Sequence, residues 1–349
     1  MPPVDLIREG DRILRICNSC RYCEGYCAVF PAIERRQSFG PGDLNYLANL
    51  CHNCGECYYA CQYAPPHEFA VNVPKLLAEI RAQSYRQYAW PHAFANGAFV
   101  WIVIAACLAL AMLFAFAGFY RVISHAVMVR LFGSVSIFVI VAFAVGFVRF
   151  WRDSGERLSE FFHPSALTKA LGDILTLHYL DGGGDEGRGC SYPAEPQSQS
   201  RRWFHHSTFY GFGLCFASTA TAAFYHYALG WKAPYGYFSL PVVLGTAGGI
   251  AIVAGTLGLL WLKRTRNPET QASGQNGMDA AFLALLFLTS ASGLSLLAWR
   301  ETAAMGALLI GHLGLVLALF LTLPYGKFVH AIYRSAALVK HALEQSRDA

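Results

Sequence analysis

Eight cysteines, arranged as two copies of one spacing, constrain this 349-residue chain more than any other feature. Residues 17–27 read CNSCRYCEGYC, and residues 51–61 read CHNCGECYYAC. Each copy is C-x-x-C-x-x-C-x-x-x-C, and each cysteine of the first has its counterpart 34 positions later, Cys17 with Cys51 through Cys27 with Cys61. A short loop with this spacing wraps a cube of iron and sulfide, placing each thiolate on a different iron. Where two such motifs occur together, three closely spaced thiolates hold one cube and the fourth cysteine reaches across to the other. The spacing thus predicts one [4Fe-4S] cluster on Cys17, Cys20, Cys23 and Cys61, and a second on Cys51, Cys54, Cys57 and Cys27. Zinc is the competing occupant, but zinc sites usually group their ligands as two distant pairs. The proline that commonly follows the fourth cysteine is replaced by Ala28 and Gln62, with Pro31 and Pro65 three positions further on.

The other three cysteines do not extend the pattern. Cys107 and Cys215 lie in apolar runs, where packing is the expected role, and Cys190 lies in a polar loop. The set reads as metal ligands and not as a disulfide framework. The N-terminus, MPPVDLIREGDRILRIC, lacks the apolar core and small-residue cleavage site of a signal peptide, so the front domain is expected in the cytoplasm.

Behind the cysteines the chain turns apolar: 55% of it is hydrophobic and 14% charged, a balance that favours a membrane protein. Six stretches free of Asp, Glu, Lys and Arg suit a bilayer crossing, near residues 93–119, 131–148, 207–231, 235–262, 280–299 and 302–326. The non-membrane segments on the side of the termini carry 23 of the 27 Lys and Arg residues, against 4 for the other loops. The positive-inside rule then puts both termini in the cytoplasm. The net charge of +5 forms no cluster interleaved with aromatics, so nucleic acid is not an expected partner.

The expected fold is mainly α, an N-terminal two-cluster ferredoxin-like domain followed by a six-helix transmembrane bundle. Residues 1–92 form the cluster domain with its linker helix, 93–148 the first two spans, 149–206 a cytoplasmic loop, 207–333 the remaining spans and 334–349 a cytoplasmic tail. Residues 74–87 have the period of an amphipathic helix, with Leu76, Leu77 and Ile80 on one face, and are expected to dock the cluster domain on the membrane. In the loop, DGGGDEGRG and YPAEPQSQSRR read as linker and turn segments. The glycine run matches neither G-x-G-x-x-G nor a P-loop, and no other dinucleotide-binding unit stands out, so any flavin or nicotinamide must come with a partner.

Two spans carry histidines in suggestive places. The third holds His205 and His206 at one end and His226 at the other; the sixth stretch carries His312 and His330. Eighteen residues are five helical turns, which puts His312 and His330 on one face of a straight helix, about 27 Å apart. Since these spans run in opposite directions, His205 or His206 pairs with His330 and His226 with His312. Such pairs suit one or two bis-histidine b hemes. Histidines are also common at helix ends, and Pro324 threatens the register of the sixth span. His92, His125, His163 and His178 lie outside the spans and read as surface or interfacial residues.

Together these motifs, with LTLHYLDGGG, RRWFHHSTFYGF and APYGYFSLPVVLGTAGG, resemble the tricarballylate or citrate utilization protein B family over nearly the whole chain. The histidine-bearing helices resemble, more distantly, the heme subunits of nitrate reductase (gamma type). The resemblance implies an electron-transfer component of an oxidoreductase: it reoxidises the reduced flavin of a soluble partner dehydrogenase, of the tricarballylate type, and delivers electrons to the membrane quinone pool. Another donor, as in heterodisulfide-type or anaerobic oxidoreductases, is the neighbouring expectation. A citrate transporter is disfavoured because no span holds a charged residue for a tricarboxylate. A membrane redox sensor would carry the same clusters without conducting.

Overall fold

The computed structural model describes residues 4–95, 97–116, 125–181, 188–272, 274 and 276–348. Among these residues it is helical throughout, and the one β pairing is an isolated bridge between Cys190 and Ser198. The front domain is built from α1 (Val4–Cys20), α2 (Val29–Glu34), α3 (Pro41–Leu50), the single turn α4 (Glu56–Tyr59) and α5 (Val73–Tyr88). α1 ends in the first cysteine motif, and α3 ends where the second begins, so the motifs are loops held between helices. Pro41 opens α3 at the position where a missing N–H costs nothing, and Gly40 N–H donates to the Asp43 carboxylate at 3.3 Å.

α5 forms where the amphipathic period predicts it. Asn72 caps it by accepting from Lys75 N–H at 3.1 Å, and Pro74 lies in its first turn. Leu76, Leu77 and Ile80 are 4%, 0% and 0% exposed and pack in one core with Leu44, Leu47 and Leu50 of α3. Each such side chain contributes about 1.5–3 kcal/mol of burial. The helix belongs to the cluster domain's own core and also joins that domain to the next helices.

Behind it come α6 (Gly97–Phe116), α7 (His125–Asp153), α8 (Pro164–Thr176), α9 (Ser200–Ala228), α10 (Leu240–Thr265), α11 (Asn276–Ala298), α12 (Met305–Thr322) and α13 (Val329–Asp348). Among the described residues, four of these are long and apolar enough to cross a membrane, over Ala126–Asp153, Leu240–Thr265, Gly277–Ala298 and Met305–Thr322. This corrects the expectation of six. α9 is 29 residues long, but its histidines, hydroxyls and tyrosines dilute its apolar character. In α6 the side chains are described only over the apolar stretch Trp101–Leu110, and residues 117–119 of the expected first span lie outside the described residues, as do 182–187 of the glycine-rich run and the side chain of His125.

A second correction concerns the sixth stretch. α12 ends at Thr322 and α13 begins at Val329, with Pro324 and Gly326 in the turn between them. Pro324 lacks the N–H that would continue the ladder and disfavours helix at the residue before it. The turn is pinned by Tyr325 Oη, which donates to Trp90 O at 3.0 Å, and by Lys327, which pairs with Asp279 at 3.0 Å. His312 and His330 therefore belong to two separate helices, and the single-helix register that related them does not hold.

The segment read as a tail is most of α13, and it packs on the front domain. Ala337, Leu338, Val339 and Leu343 are 0–3% exposed in the same core as α3 and α5. Glu344 binds Arg36 at 2.5 Å and accepts from Tyr46 Oη at 3.0 Å, so a charged network ties the C-terminal helix to α2 and α3. The end of α7 docks beside it: Asn45 Nδ2 donates to Asp153 at 3.0 Å, and Tyr88 Oη donates to the same carboxylate.

Candidate functional site

The eight motif cysteines surround two adjoining cavities. The first, about 230 Å³, is lined by Cys17, Cys20, Cys23 and Cys61, with Ile16, Tyr22 and Tyr63. The second, about 20 Å³, is lined by Cys27, Cys51, Cys54 and Cys57, with His52 and Asn53. Cys57, Phe30 and Val73 border both, so the cavities share a wall. The electrostatic neighbours repeat the division: Cys17 faces Cys61, Cys23 and Cys20, whereas Cys27 faces Cys54 and Cys51. In each quartet three thiols come from one motif and the fourth from the other.

None of the eight is in a disulfide. Burial, with like charges beside them, pushes the Cys17 and Cys23 thiols up to about 12 and raises Cys27 and Cys57 as well. Thiolates are thus disfavoured here until a cation compensates them, which is the electrostatic condition a metal cluster relieves. Cys54 departs from this pattern: a hydrogen bond from Cys190 leads in pulling it down to about 7. Among the described residues no three Cys, His, Asp or Glu side chains converge on a single metal ion.

The two cavities differ in surroundings. The first is rimmed by exposed residues, with Tyr22 67% exposed. The second lies against the helical region, and four arginines from distant parts of the chain grip its loop. Arg81 and Arg334 donate to Cys51 O at 2.5 and 2.8 Å, Arg201 donates to His52 O and Asn53 O at 2.8 and 2.9 Å, and Arg266 donates to Asn53 Oδ1 at 2.7 Å. No salt bridge neutralises any of the four among the described residues. So much uncompensated positive charge around four thiols matches an anionic occupant. No spacing rule flagged these arginines, because each contributes from a different segment.

Two of the arginines lead directly to the histidines. His205 follows Arg201 by one turn of α9, and His330 precedes Arg334 by one turn of α13. The His205 and His330 rings lie 6.1 Å apart between centroids at an interplanar angle of 88°. His330 Nδ1 lies 2.7 Å from Lys327 O, an arrangement in which Nδ1–H donates and Nε2 is left free. The Nδ1 atom of His205 is buried without a partner. His206 turns away toward Tyr210, 5.6 Å between centroids, and its Nε2 is likewise buried without a partner.

The two histidines of the expected second pair have these neighbours. His312 Nδ1 lies 3.0 Å from Ser292 Oγ, and its ring packs against Gly293, both on α11. His226 lies near the end of α9 with its ring 4.9 Å from that of Tyr227.

The position of His205 is set by close packing between α9 and α10. A Cβ on Gly248 would stand 2.7 Å from Gly211 O, and one on Gly255 would stand 2.7 Å from Phe204 O. Small residues let two helix backbones approach in this way. The run LGTAGGIAIVAGTLG carried that signal in the sequence.

A family model described as citrate utilization protein B matches residues 91–349, and one described as the citrate utilization protein B Fer4-like domain matches residues 10–87. Citrate utilization protein B of Escherichia coli is 49% identical over 359 residues, an alignment covering 97% of this chain and 93% of that relative. No solved structure matches significantly.

Proposed function

Because the chain belongs to the citrate utilization protein B family, we propose that it is a membrane electron-transfer protein that takes electrons from the reduced flavin of a soluble partner dehydrogenase and passes them to quinone. The observation that carries this reading is the division of eight cysteines into two quartets, each completed by a cysteine of the other motif. Zinc fits less well: a zinc quartet converges on one ion at about 2.3 Å. Cubane ligands stand further apart, because each binds its own iron, and among the described residues no three of these thiols converge on a single ion.

In this reading Cys17, Cys20, Cys23 and Cys61 hold the first [4Fe-4S] cluster, and Cys27, Cys51, Cys54 and Cys57 the second. His205 and His330 hold a b heme. These two imidazoles would be its iron ligands. The observed 6.1 Å supports the pair. When bound, these groups supply the one-electron steps between a two-electron flavin and a quinone.

The chain's own residues set the direction. The exposed rim of the first cavity suits contact with a flavoprotein of the tricarballylate dehydrogenase kind. Arg81, Arg201, Arg266 and Arg334 hold positive charge at the second cavity, which favours added negative charge there over the first. Arg201 and Arg334 then fix the second loop one helical turn from His205 and His330. The four apolar helices suit the inner membrane, with the front domain in the cytoplasm.

The test is a dithionite-reduced minus air-oxidised spectrum and an iron assay of the detergent-purified protein, with about eight cluster irons expected per chain. Heme bands that persist in His206→Ala but vanish in His205→Ala and His330→Ala are the expected result. Cys20→Ser and Cys54→Ser should each stop partner-dependent quinone reduction while the partner still reduces a dye. If quinone reduction survived both, the quartets would not lie on the electron path.

A further inference from the structure

α8 lies in the stretch expected to be a cytoplasmic loop, and the fold leaves it with two apolar sides. Ala166 and Ala170 are buried in the core that α13 shares with the front domain. One residue further on is a rotation of about 100°. There Leu171 and Leu175, one turn apart, are 54% and 41% exposed. A helix whose second side met water would carry polar residues on it. Phe162, at the end of the turn Leu158–Phe162 that leads into α8, is exposed as well. Packing fixes that exposure, because the neighbouring Phe161 ring stands 4.8 Å from Phe147 and 5.2 Å from Trp151 of α7.

The far end of α8 is tied to α9 by two bonds: Arg202 Nη2 donates to Thr176 O at 2.9 Å, and Tyr210 Oη donates to Leu175 O at 2.7 Å. Its depth follows from α10, which is long and apolar enough to cross a membrane. α10 meets this part of α9 at Gly255 and Gly258, where an added Cβ would press on Phe204. Those glycines precede Lys263, the first charged residue of α10, by about 12 and 7.5 Å along the axis. That end of α10 adjoins the front domain, since Arg266 donates to Asn53 Oδ1 at 2.7 Å. The Leu175 end of α8 is thus level with the apolar part of α10. Trp203 and Tyr210, two turns apart on the side of α9 that α8 occupies, are exposed beside it.

We propose that α8 is an interfacial helix, lying on the bilayer leaflet nearest the front domain with Phe162, Leu171, Leu175 and Trp203 in the headgroup boundary. Lipid is the occupant because the leucine side continues the apolar surface of α10, and because Trp and Tyr at such a level are the side chains a membrane interface enriches. An interfacial helix buries its apolar side about 5–10 Å into that boundary, comparable with the depth set by Gly255 and Gly258. Lys169, exposed on the flank of α8, suits a headgroup phosphate. With its alanine side on α13, the helix rests the front domain on the membrane, the task that the sequence had suggested for α5.

Labelling of the full-length protein in vesicles of phosphatidylethanolamine and phosphatidylglycerol tests this. One phospholipid carries a diazirine near its glycerol backbone, and the carbene adducts formed on illumination are mapped by mass spectrometry. Phe162, Leu171, Leu175 and Trp203 are expected to collect about tenfold more adduct than Tyr22, the exposed tyrosine of the front domain. The inference rests on the membrane reading of α10, which its exposed Ile250 and Leu257 report separately. If those two stay unlabelled, the membrane reading fails and takes the inference with it; if they are labelled and α8 is not, the inference alone is overturned. Hydroxyl radicals generated in the water phase should give the reverse pattern, with each rate taken relative to the same residue in the unfolded chain. Tyr22 should then be oxidised readily and Leu171 and Leu175 protected. Equal relative oxidation of Leu171 and Tyr22 would leave the leucine side open to water or to a soluble partner, and overturns the inference.

Discussion

Adding one methyl group at Gly255 should dislodge the histidine that pairs with His330. A Cβ there would stand 2.4 Å from Thr208 Oγ1, 2.7 Å from Phe204 O and 2.8 Å from Thr208 N. Rotating Thr208 relieves the first contact, but the other two are with the backbone of α9 and yield only if the helix moves. Restoring an ordinary contact of 3.4 Å from 2.7 Å requires a displacement of roughly 0.7 Å. Overpacking of this kind costs about 1–3 kcal/mol. Phe204 adjoins His205, so the shift reaches a ring pair whose separation a shared metal would hold to about 0.2 Å. On the proposed reading of His205 and His330 as heme ligands, Gly255→Ala is therefore expected to lose about half or more of the heme while retaining the iron–sulfur clusters, whose proposed ligands lie elsewhere. Gly213→Ala, on α9 itself, is the control: its Cβ meets nothing within 4 Å, and it should keep full heme and melt no lower than wild type. The assay is heme per chain from the reduced spectrum, with a thermal melt in detergent. If Gly255→Ala matched Gly213→Ala in both, close packing would not be what sets His205.

Three further outcomes follow from particular contacts. Cys61→Ser should remove the EPR signal of the first cluster and spare the second, and Cys27→Ser should do the reverse; loss of the opposite cluster in each would refute the crossed ligand assignment. Glu344→Gln strips Arg36 of a buried partner while leaving Asp43 at 2.7 Å, and is expected to cost about 2–3 kcal/mol in urea unfolding of the front domain. A loss below about 0.5 kcal/mol would place the hold of α13 elsewhere. His341 is 1% exposed, and burial chiefly, with Arg35 and Lys169 nearby, pulls its pKa down to about 4. The folded state then resists a proton that the unfolded state accepts, so stability is present above the unfolded value near 6.5 and falls as the pH drops toward 4. Between pH 7 and 5 the loss should be about 2 kcal/mol, and His341→Gln should flatten that slope; an equal slope in the variant would assign it to other groups.

By itself the sequence determined what depends on short covalent spacing and on composition. The two quartets are such a case, because a cluster dictates the number of residues between its thiolates whatever surrounds them. The linker helix is another: its period placed α5 within a residue at each end, with Leu76, Leu77 and Ile80 on the buried face. Apolar composition marked the membrane helices but overcounted them, since α9 mixes polar side chains into a long helix whose α10 contact is made by glycines.

Only the tertiary structure decided what depends on direction. His205 and His206 are adjacent, and one residue on a helix is a rotation of about 100°, so no spacing rule shows which faces His330. The break after Thr322 reassigned His330 from the helix of His312 to one that folds back onto the front domain. Arg81, Arg201, Arg266 and Arg334 reach the Cys51–Asn53 loop from four segments, and the loop that carries Ser191 and Gln197 lies against Gly55 and Glu56 of the second motif. The cysteine spacing fixed which thiols gather because those ligands lie close along the chain. What surrounds them was settled by long-range packing, where residues far apart in sequence meet only after the helices have been laid against one another.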